Sequence, residues 1–436
     1  MKPTARSVAL RVLLGSGSGR RVSLKTHFES SDFGVLPDRD RRLATELVYG
    51  VLRNQSLLDY QLDGLLERSR ARLDPEVLQV LRVGLFQLNH LRIPERAAVH
   101  ESVRLCREFR KASAAPLVNA VLRRFLRDRP AAPNSGDTQS LSIRYSHPEW
   151  LVRRYLSRFG SEDARTILER NNRPPALYLW VNPFRTTRTS FCRRLDREGV
   201  PFQPHPRLPH CVRVNSRSFV RHPLYRRGHC FLMSPASQEV AQLGDLSGCR
   251  TLGDFCAAPG GKSFILQARK RSRARLISCD LSLSRLRQMK ARAGLYRIPQ
   301  LGAVQADLVH PPFRSRFDFI LLDVPCTGTA TLRANPDIRW RLAEEDVRRL
   351  SRIQRALLRS SFRMLRPGGQ LVYATCSTEP EENLEVVETL LNSEPEAKLV
   401  RQPEEDFLKR EAFFAAWLVR TGGGTVSPPV TRGIGG

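Results

Sequence analysis

The apolar pattern of this 436-residue chain changes near residue 250, from helical spacing to an alternation of short apolar runs with helical stretches. Strands that alternate with helices pair as neighbours in a parallel, doubly wound sheet, so this change constrains the fold most. Helices are predicted at 283–293 and 347–365. The predicted strands are 251–255, 276–280, 301–306, 317–323, 370–375 and 413–419. The sequence therefore predicts an α/β Rossmann-like domain over 246–420.

The residues before this domain predict two further parts. Residues 1–130 carry apolar side chains at helical spacing without strand-like alternation, which predicts an all-α bundle. A turn-forming stretch at 129–137 follows as a linker. Residues 141–245 mix predicted helices at 150–159 and 164–169 with a strand at 176–181, which indicates a small α+β connector. The Gly/Pro/Ser-rich stretch 421–436 predicts a tail without fixed structure.

A glycine-rich turn follows the first predicted strand of the α/β domain and opens a helix. Its sequence, DFCAAPGGK at 254–262, lets backbone approach a ligand closely, and the helix N-terminus favours a carboxylate or phosphate. Asp280 ends the next strand, where an acid can accept ribose hydroxyls. Asp307 follows the third strand, where an acid can receive an adenine amino group, and Asp323 ends the fourth. The turn differs from G-x-G-x-x-G, so together these residues favour S-adenosylmethionine over NAD.

Two of the nine cysteines stand at strand ends. No C-x-x-C pair occurs, so neither a zinc ribbon nor a thioredoxin-like motif is indicated, and no metal site is predicted. The odd number of cysteines and the length of the chain argue against a disulfide scaffold. Most of the cysteines fit buried thiols, but Cys326 and Cys376 follow apolar strands at the ligand-binding edge of the sheet. A thiolate that adds to carbon 6 of a pyrimidine makes carbon 5 nucleophilic toward a sulfonium methyl group. The spacing alone leaves open which cysteine attacks and which assists release.

Two charged residues complete this predicted catalytic group. Asp323 is placed to hold the N3 or amino edge of the pyrimidine and to stabilise the protonated adduct. Lys262, at the end of the glycine-rich turn, is placed to act as its electrostatic partner.

The chain is strongly basic, with 72 Lys+Arg against 43 Asp+Glu and a formal net charge of +29. The excess is spread along the whole chain and favours a polyanionic partner, nucleic acid ahead of a membrane surface. A genome rich in arginine codons is the alternative source of part of it. Arg6 and Arg11 interrupt the N-terminal apolar stretch, and no run approaches a membrane span, so we expect a cytoplasmic protein.

These motifs resemble the RsmB/Sun (Fmu) family of bacterial ribosomal RNA 5-methylcytosine methyltransferases, over nearly the whole chain. In the catalytic half the similarity rests on DFCAAPGGK at 254–262, DVPCTGT at 323–329, RANPDIRW at 333–340 and YATCSTEPEEN at 373–383. The N-terminal half resembles a NusB-type RNA-binding domain. This similarity rests on LATELVYGVLR at 43–53, LRVGLFQL at 81–88, IPERAAVHESV at 93–103 and VNAVLRR at 118–124.

The resemblance implies S-adenosylmethionine-dependent methylation of carbon 5 of a cytosine in 16S ribosomal RNA, with cytosine 967 as the family's target. By the family pattern, Cys376 is the nucleophile that forms a covalent adduct at carbon 6, and Cys326 assists product release. The implied cofactor contacts are Cys256, Ala257, Ala258, Pro259, Gly260, Gly261, Lys262, Asp280, Asp307 and Asp323. The implied partner is ribosomal RNA, bound by the helical domain and the connector, with a monomer expected.

One segment combines cations with a stacking ring near the predicted active edge, as recognition of single-stranded RNA requires. The residues are Arg333, Asn335, Arg339, Trp340 and Arg341. The alternative for this segment is a solvated loop with one buried Trp. For the whole chain, a tRNA cytosine-5 methyltransferase, a non-catalytic antitermination-type RNA-binding factor and an NAD enzyme are the competing hypotheses.

Overall fold

The structure is a computed structural model that describes residues 2–16, 24–29, 32–215, 217–313, 316–401 and 413–422. The chain divides into two compact units. The first comprises Met1–Pro174 and Leu332–Glu344, and the second comprises Pro175–Thr331 and Glu345–Gly436. The predicted tail lies outside the described residues beyond Gly422. The predicted boundary before residue 141 differs from this division, since residues 141–174 belong to the first unit.

The first unit is helical, which confirms the all-α prediction for the N-terminal part. Its helices are α1 (Ala5–Ser16), α2 (Leu24–Glu29), α3 (Asp38–Arg53), α4 (Gln55–Leu65), α5 (Pro75–His90), α6 (Glu95–Glu108), α7 (Ala115–Asp128), α8 (Thr138–Tyr145) and α9 (Glu149–Asn172). Helix α9 breaks at Gly160, whose φ is 75°. This break separates the two helices that the sequence predicts at 150–159 and 164–169.

Two apolar cores hold the first unit together. The larger core buries the inward stripes of α1 and α3–α7, with Leu47, Leu81 and Leu122 fully buried. A smaller core lies between α8 and α9 and includes Leu141 and Leu168. The side chains of the later segment 332–344 enter both cores, so this segment is part of the first unit although it follows it by more than 150 residues.

The second unit contains two sheets. Its helices are α10 (Arg188–Arg197), α11 (Pro235–Val240), α12 (Gly261–Arg269), α13 (Leu283–Tyr296), α14 (Glu344–Arg363) and α15 (Leu384–Ser393). Its strands are β1 (Leu177–Val181), β2 (Phe202–Pro204), β3 (Cys211–Val214), β4 (Cys230–Leu232), β5 (Thr251–Phe255), β6 (Arg275–Asp280), β7 (Gly302–Gln305), β8 (Phe317–Asp323), β9 (Leu365–Thr375), β10 (Ala397–Arg401) and β11 (Phe414–Arg420). One-turn helices occur at Pro223–Arg226 and, in the first unit, at Ile338–Arg341.

The larger sheet has the order β10-β11-β9-β8-β5-β6-β7. Strands β5–β9 run parallel, whereas β11 pairs antiparallel with both β9 and β10. The prediction of a wholly parallel sheet is therefore wrong at this edge. The sequence analysis missed β10 because it is an edge strand with exposed Lys398 and Arg401, and without β10 the last strand reads as another parallel one.

The smaller sheet is antiparallel with the order β2-β3-β1-β4, which confirms an α+β arrangement for this part of the predicted connector. One face packs on α10 through Phe191 and Leu195, which are buried with Leu179 and Val212 of the sheet. Trp180 on the opposite face packs with the apolar residues of α12 and α13. The small sheet is thereby joined to the larger one within the second unit.

The parallel strands bring their carboxyl ends to one edge of the large sheet, where doubly wound folds bind ligands. Asp323 at the end of β8 pairs in register with Ala374 of β9, and Phe255 of β5 pairs with Cys279 of β6. The ends of β5–β9 and the segments that follow them carry the candidate functional residues.

Candidate active site

The glycine-rich turn joins β5 to α12 at the carboxyl edge of the sheet. Two of its residues have left-handed backbone, Cys256 with φ 60° and Gly260 with φ 99°. A Cβ at Gly260 would lie 2.7 Å from Cγ of Met289, so both the backbone angle and the space require glycine. The turn thus brings backbone close to the N-terminus of α12, where N–H groups are unsatisfied by the helix itself.

Asp280 ties the end of β6 to this turn. Its buried carboxylate accepts a hydrogen bond from the Ala258 N–H at 3.1 Å and another from the Ser282 N–H at 3.0 Å. Arg285 lies 3.5 Å from the same carboxylate. Asp307 follows β7, the neighbour of β6, and keeps an exposed carboxylate that accepts from the Val309 N–H at 2.9 Å. Both acids therefore lie at the carboxyl edge, as predicted from strand order.

Lys262 and Asp323 form an ion pair between the first turn of α12 and the end of β8, with Nζ and Oδ2 separated by 2.6 Å. Burial lowers the pKa of the Lys262 ammonium, but the charge and hydrogen bond of Asp323 outweigh it and leave the pKa raised. The ammonium therefore stays charged.

A buried acid that the sequence analysis did not single out lies beneath the turn. Asp254 is fully buried and accepts a hydrogen bond from the Ser263 hydroxyl, which in turn lies 3.0 Å from the Ser278 hydroxyl. Burial raises the pKa of Asp254 to about 7, although the bond from Ser263 lowers it. This carboxyl connects β5, β6 and α12 below the candidate cofactor site.

The two strand-end cysteines lie side by side. The Sγ atoms of Cys326 and Cys376 are 3.1 Å apart, and the Cys376 N–H donates to the Cys326 sulfur at 3.2 Å. The hydrogen bond with Cys376 and, next, burial raise the pKa of the Cys326 thiol. Either sulfur can donate the hydrogen bond between them, and the raised pKa favours the protonated form of Cys326. Both thiols are partly accessible.

The other cysteines do not share this geometry. Cys106, Cys211, Cys230, Cys249 and Cys279 are buried, and burial raises the pKa of each thiol. Inert buried thiols of this kind are what the sequence predicts for most of the nine.

A buried glutamate that the sequence analysis missed links the segments after β8 and β9. Glu382 is fully buried, and its carboxylate accepts hydrogen bonds from Thr327, Ser377 and Gln354. Thr327 and Ser377 directly follow the two strand-end cysteines. The signal in the sequence was weak, because Glu382 stands in the polar run EPEE at 379–382, which is typical of an exposed turn.

Two residues of the predicted RNA-contact segment, Arg339 and Trp340, pack inside the first unit. Arg339 is 1% exposed, and its guanidinium donates to the carbonyls of Ser146 and Asn171 and to the side chain of Asn172. The predicted RNA contact is therefore wrong for Arg339, since the guanidinium is buried and both of its terminal nitrogens donate inside the protein. Burial and, next, the charge of Arg339 lower the pKa of His147 well below its ordinary value.

Trp340 does not present a free stacking ring either. Its indole N–H donates to the Leu52 carbonyl at 2.9 Å, and the ring packs against the core of α1–α7. The alternative of a packed Trp therefore fits better. Arg333, Asn335 and Arg341 keep exposed or partly exposed side chains, and RNA contact by these three stays a prediction.

No helix in the described ranges is long and apolar enough to cross a membrane. No group of three or more His, Cys, Asp or Glu side chains in the same ranges is arranged to hold a metal ion.

Three family models match successive parts of the chain. The model for the 16S rRNA methyltransferase RsmB/F matches residues 246–418, the NusB family model matches 3–127, and the ferredoxin-like domain of RsmF/B-like methyltransferases matches 147–221. The three matches follow the predicted order of a helical domain, a connector and a methyltransferase domain.

Solved structures show that the fold is shared. A crystal structure of the protein PH0851 superposes with a TM-score of 0.80 at 22% identity and covers 96% of this chain and 99% of its own. The structure of NSun6 from Pyrococcus horikoshii with SFG superposes with a TM-score of 0.58 at 20% identity, over 63% of this chain and 98% of its own.

Curated relatives align over nearly the full length. The chain is 31% identical to the probable ribosomal RNA small subunit methyltransferase B of Bacillus subtilis over 404 residues, which is 91% of this chain and 90% of the relative. It is 32% identical to the corresponding methyltransferase of Salmonella paratyphi B, over 88% of this chain and 91% of the relative. The chain therefore belongs to the family of ribosomal RNA small subunit methyltransferase B, whose members are S-adenosylmethionine-dependent ribosomal RNA methyltransferases.

Proposed function

We propose that this protein methylates carbon 5 of a cytosine in 16S ribosomal RNA through a covalent adduct between Cys376 and carbon 6. The observation that carries this proposal is the pair of thiols, 3.1 Å apart, at the same edge of the sheet as the ion pair of Lys262 and Asp323. A carbon nucleophile has to be created on the pyrimidine before it can take a methyl group, and thiolate addition creates it. A second thiol within reach then serves the release step.

The hydrogen bond between the thiols supports Cys376 as the nucleophile. Because the pKa of Cys326 is raised, we assign its thiol as the donor of this hydrogen bond, which either sulfur could donate. A donated hydrogen bond stabilises negative charge on the acceptor, so this assignment makes Cys376 the attacking sulfur. The ammonium of Lys262 lies near enough to interact with that charge.

Adduct formation prepares Cys326 for the release step. The hydrogen bond and the charge of Cys376 are two of the causes that raise the pKa of Cys326. When the Cys376 sulfur forms its bond to carbon 6 it loses that charge, and both causes disappear. The N–H of Cys376 still donates to the Cys326 sulfur and favours its thiolate. Cys326 then loses its proton to solvent more easily, and the resulting thiolate can act as a base.

The bond changes balance over the cycle. The thiolate of Cys376 adds to carbon 6, and the electron pair of the ring double bond becomes available at carbon 5. When bound, S-adenosylmethionine supplies the electrophilic methyl group that carbon 5 takes up. The base Cys326 then removes the carbon-5 proton, the double bond re-forms, and the bond between carbon 6 and sulfur breaks with its pair returning to Cys376.

Asp323 and Lys262 orient the pyrimidine in this proposal. The Asp323 side chain is 31% exposed while its Oδ2 is held by Lys262, so the carboxylate keeps accepting capacity for the N3 or amino edge of the ring. Lys262 holds that carboxylate in place and adds positive charge where the adduct develops negative charge.

The polar groups at the glycine-rich turn fit S-adenosylmethionine. The carboxylate of Asp280 is an acceptor suited to ribose hydroxyls, and the exposed carboxylate of Asp307 suits an amino group of adenine. Residues Cys256–Lys262 provide the backbone that approaches the remainder of the molecule. The similarly folded NSun6 was solved with SFG, an analogue of S-adenosylmethionine, which supports a cofactor at this edge.

The choice of target rests on the family. The chain aligns over about nine-tenths of its length with methyltransferases named for small-subunit ribosomal RNA and contains the NusB-type domain. We therefore propose 16S RNA, with cytosine 967 as its target and a cytoplasmic monomer as the active form. A tRNA cytosine is the alternative target.

Release of tritium tests the reaction and its site together. RNA transcribed with cytidine labelled with tritium at carbon 5 loses its label only when that carbon is substituted. We expect the full chain with S-adenosylmethionine to release tritium from 16S RNA, and bisulfite sequencing to locate one protected cytosine at position 967. Release from tRNA alone would favour the alternative target, and methyl transfer without tritium release would refute cytosine-5 chemistry.

Variants of the two thiols test the covalent mechanism. Cys376→Ala should abolish tritium release, since no nucleophile remains. Cys326→Ala should allow attack but slow release, so an RNA–protein adduct stable to denaturing electrophoresis should accumulate. Cys192→Ala is the matched control, because Cys192 is another partly accessible thiol and lies on α10. Wild-type methylation by Cys376→Ala would overturn the assignment.

A further inference from the structure

We propose that Glu382 is a positioning residue for methyl transfer, and that its buried carboxylate holds together the two segments that carry Cys326 and Cys376. This inference rests on the proposed function of the two thiols. It concerns a residue that does not touch the reacting atoms but acts through the residues adjacent to both cysteines.

The carboxylate of Glu382 accepts four hydrogen bonds. Its Oε1 accepts from the Thr327 N–H at 3.0 Å and from the Gln354 side-chain amide at 2.9 Å. Its Oε2 accepts from the Thr327 hydroxyl at 2.5 Å and from the Ser377 hydroxyl. A carboxylate is the only side-chain group that offers two acceptor oxygens and no donor, so it matches this set of four donors.

The donors come from three separate elements. Thr327 follows Cys326 after β8, Ser377 follows Cys376 after β9, and Gln354 belongs to the buried face of α14. Gln354 donates through the same amide nitrogen to the carbonyl of Pro325, the residue before Cys326, at 2.9 Å. Glu382 thus links the residue after Cys326 to the residue after Cys376, and Gln354 links Glu382 to the residue before Cys326.

Glu382 is itself held in place by its surroundings. The Tyr373 hydroxyl donates to the Glu382 carbonyl at 2.6 Å. The next residue, Asn383, accepts from the Thr375 hydroxyl at 2.5 Å and donates to the Ser377 carbonyl at 3.0 Å. The carboxylate therefore works from a fixed backbone, as accurate placement of a reacting group requires.

A purely stabilising role explains this arrangement less well. Among the described residues, no Lys, Arg or His forms an ion pair with Glu382, although the carboxylate is fully buried. Burying a carboxylate without a counter-charge is costly even when it is hydrogen-bonded. An apolar side chain could fill the space at lower cost but could not fix both cysteine segments.

The charge of Glu382 also acts on the thiol pair. It is one of the causes that raise the pKa of Cys326, after the hydrogen bond with Cys376, burial and the charge of Cys376. The carboxylate thus favours the protonated form of Cys326, the form that donates to Cys376. Geometry and charge act in the same direction.

Glu382→Gln is the primary test. The glutamine keeps the shape, its oxygen can still accept from Thr327, and its amide can donate to the two hydroxyls. We expect the variant to fold, to bind S-adenosylmethionine by calorimetry and to keep the KM for RNA within about twofold, while kcat falls about 10- to 100-fold. Single-turnover formation of a stable adduct with RNA containing 5-fluorocytosine should slow by the same factor.

Two further variants keep the test decisive. Glu385→Gln is the matched control, since the Glu385 side chain is exposed and its carboxylate lies 3.6 Å from Arg355. It should retain wild-type kcat. Ser377→Ala removes one of the four donors and also the acceptor of the Glu379 N–H, and its kcat should fall about threefold to tenfold. If Glu382→Gln fails to fold, Ser377→Ala decides the question.

The outcomes separate this inference from the proposed function. If the wild-type protein and Glu385→Gln release no tritium from carbon 5, the proposed function fails. If both are active while folded Glu382→Gln or Ser377→Ala matches them in kcat and adduct formation, the positioning role is overturned. A fall in RNA or cofactor affinity with unchanged kcat would overturn it as well, because the thiols would then be placed correctly without Glu382.

Discussion

Replacing Arg339 by Met removes the guanidinium that anchors the segment 332–344 in the first unit. The guanidinium donates at 3.0 Å to the Ser146 carbonyl, at 2.9 Å to the Asn171 carbonyl and at 2.7 Å to the side chain of Asn172. Methionine keeps the apolar stem but satisfies none of these oxygens. All three acceptors lie in or beside α8 and α9, so the loss falls on the contact between these helices and the segment.

The cost follows from the buried acceptors. Each buried acceptor left without a donor costs about 1–3 kcal/mol, and the loss is offset in part because a buried cation no longer has to be desolvated. We therefore expect the free energy of unfolding of the first unit to fall by about 3–5 kcal/mol. For a unit of this size, about 2–4 °C of melting temperature corresponds to each kcal/mol, so melting should occur roughly 10 °C lower.

Hydrogen exchange measured by mass spectrometry, together with calorimetry of the full chain, checks this prediction. We expect Arg339→Met to lose protection in 332–344 and in α8–α9, while protection of the seven-stranded sheet is retained. Arg123→Met on the exposed face of α7 is the control, with an expected change within about 0.5 kcal/mol. Wild-type melting and unchanged exchange in 332–344 for Arg339→Met would refute the anchoring role.

Two further perturbations test buried positions. Burial raises the pKa of Asp254 to about 7. Between about pH 4 and 7 the folded protein therefore binds more protons than the unfolded chain. The contribution of this carboxyl to stability consequently falls as the pH rises through that window. Urea unfolding should therefore show Asp254→Asn gaining about 4 kcal/mol relative to wild type from pH 4 to pH 8, and a constant difference would contradict it. Gly50→Ala should lower the free energy of unfolding by about 1–3 kcal/mol, because its Cβ would lie 1.9 Å from the Phe86 ring. Gly64→Ala is the control, with nothing within 4 Å of its Cβ, and thermal melts should show it gaining up to about 1 kcal/mol.

The sequence predicted the catalytic edge well because its signals are local. The strands 251–255 and 317–323 have the bounds that apolar runs and turn residues indicate. In a parallel sheet, residues that follow such runs meet at one edge, so Asp280, Asp323 and the two cysteines could be placed from strand order alone. The shared edge is a property of topology and requires no knowledge of side-chain contacts.

The residues that sequence reasoning misjudged depend on distant partners. Glu382 receives hydrogen bonds from Gln354 and Thr327, which are 28 and 55 residues away. Arg339 is held mainly by backbone carbonyls more than 160 residues away. Every residue has a backbone carbonyl, so the sequence does not indicate which ones accept a hydrogen bond. A charged residue in a polar segment is ordinarily exposed, so burial at both positions opposes the usual pattern.

The segment 332–344 affects how the activity of a truncated protein can be interpreted. It begins six residues after Cys326 in the chain, yet its fully buried Leu332 packs in the core of α8 and α9, and Trp340 packs against the core of α1–α7. A chain that starts at residue 175 would carry this segment without the helices that bury it. Loss of methylation by such a truncated protein would therefore not by itself demonstrate RNA binding by the helical unit, because exposure of this segment next to the Cys326 loop would reduce activity as well. Substitutions on the exposed surface of the helical unit avoid that ambiguity.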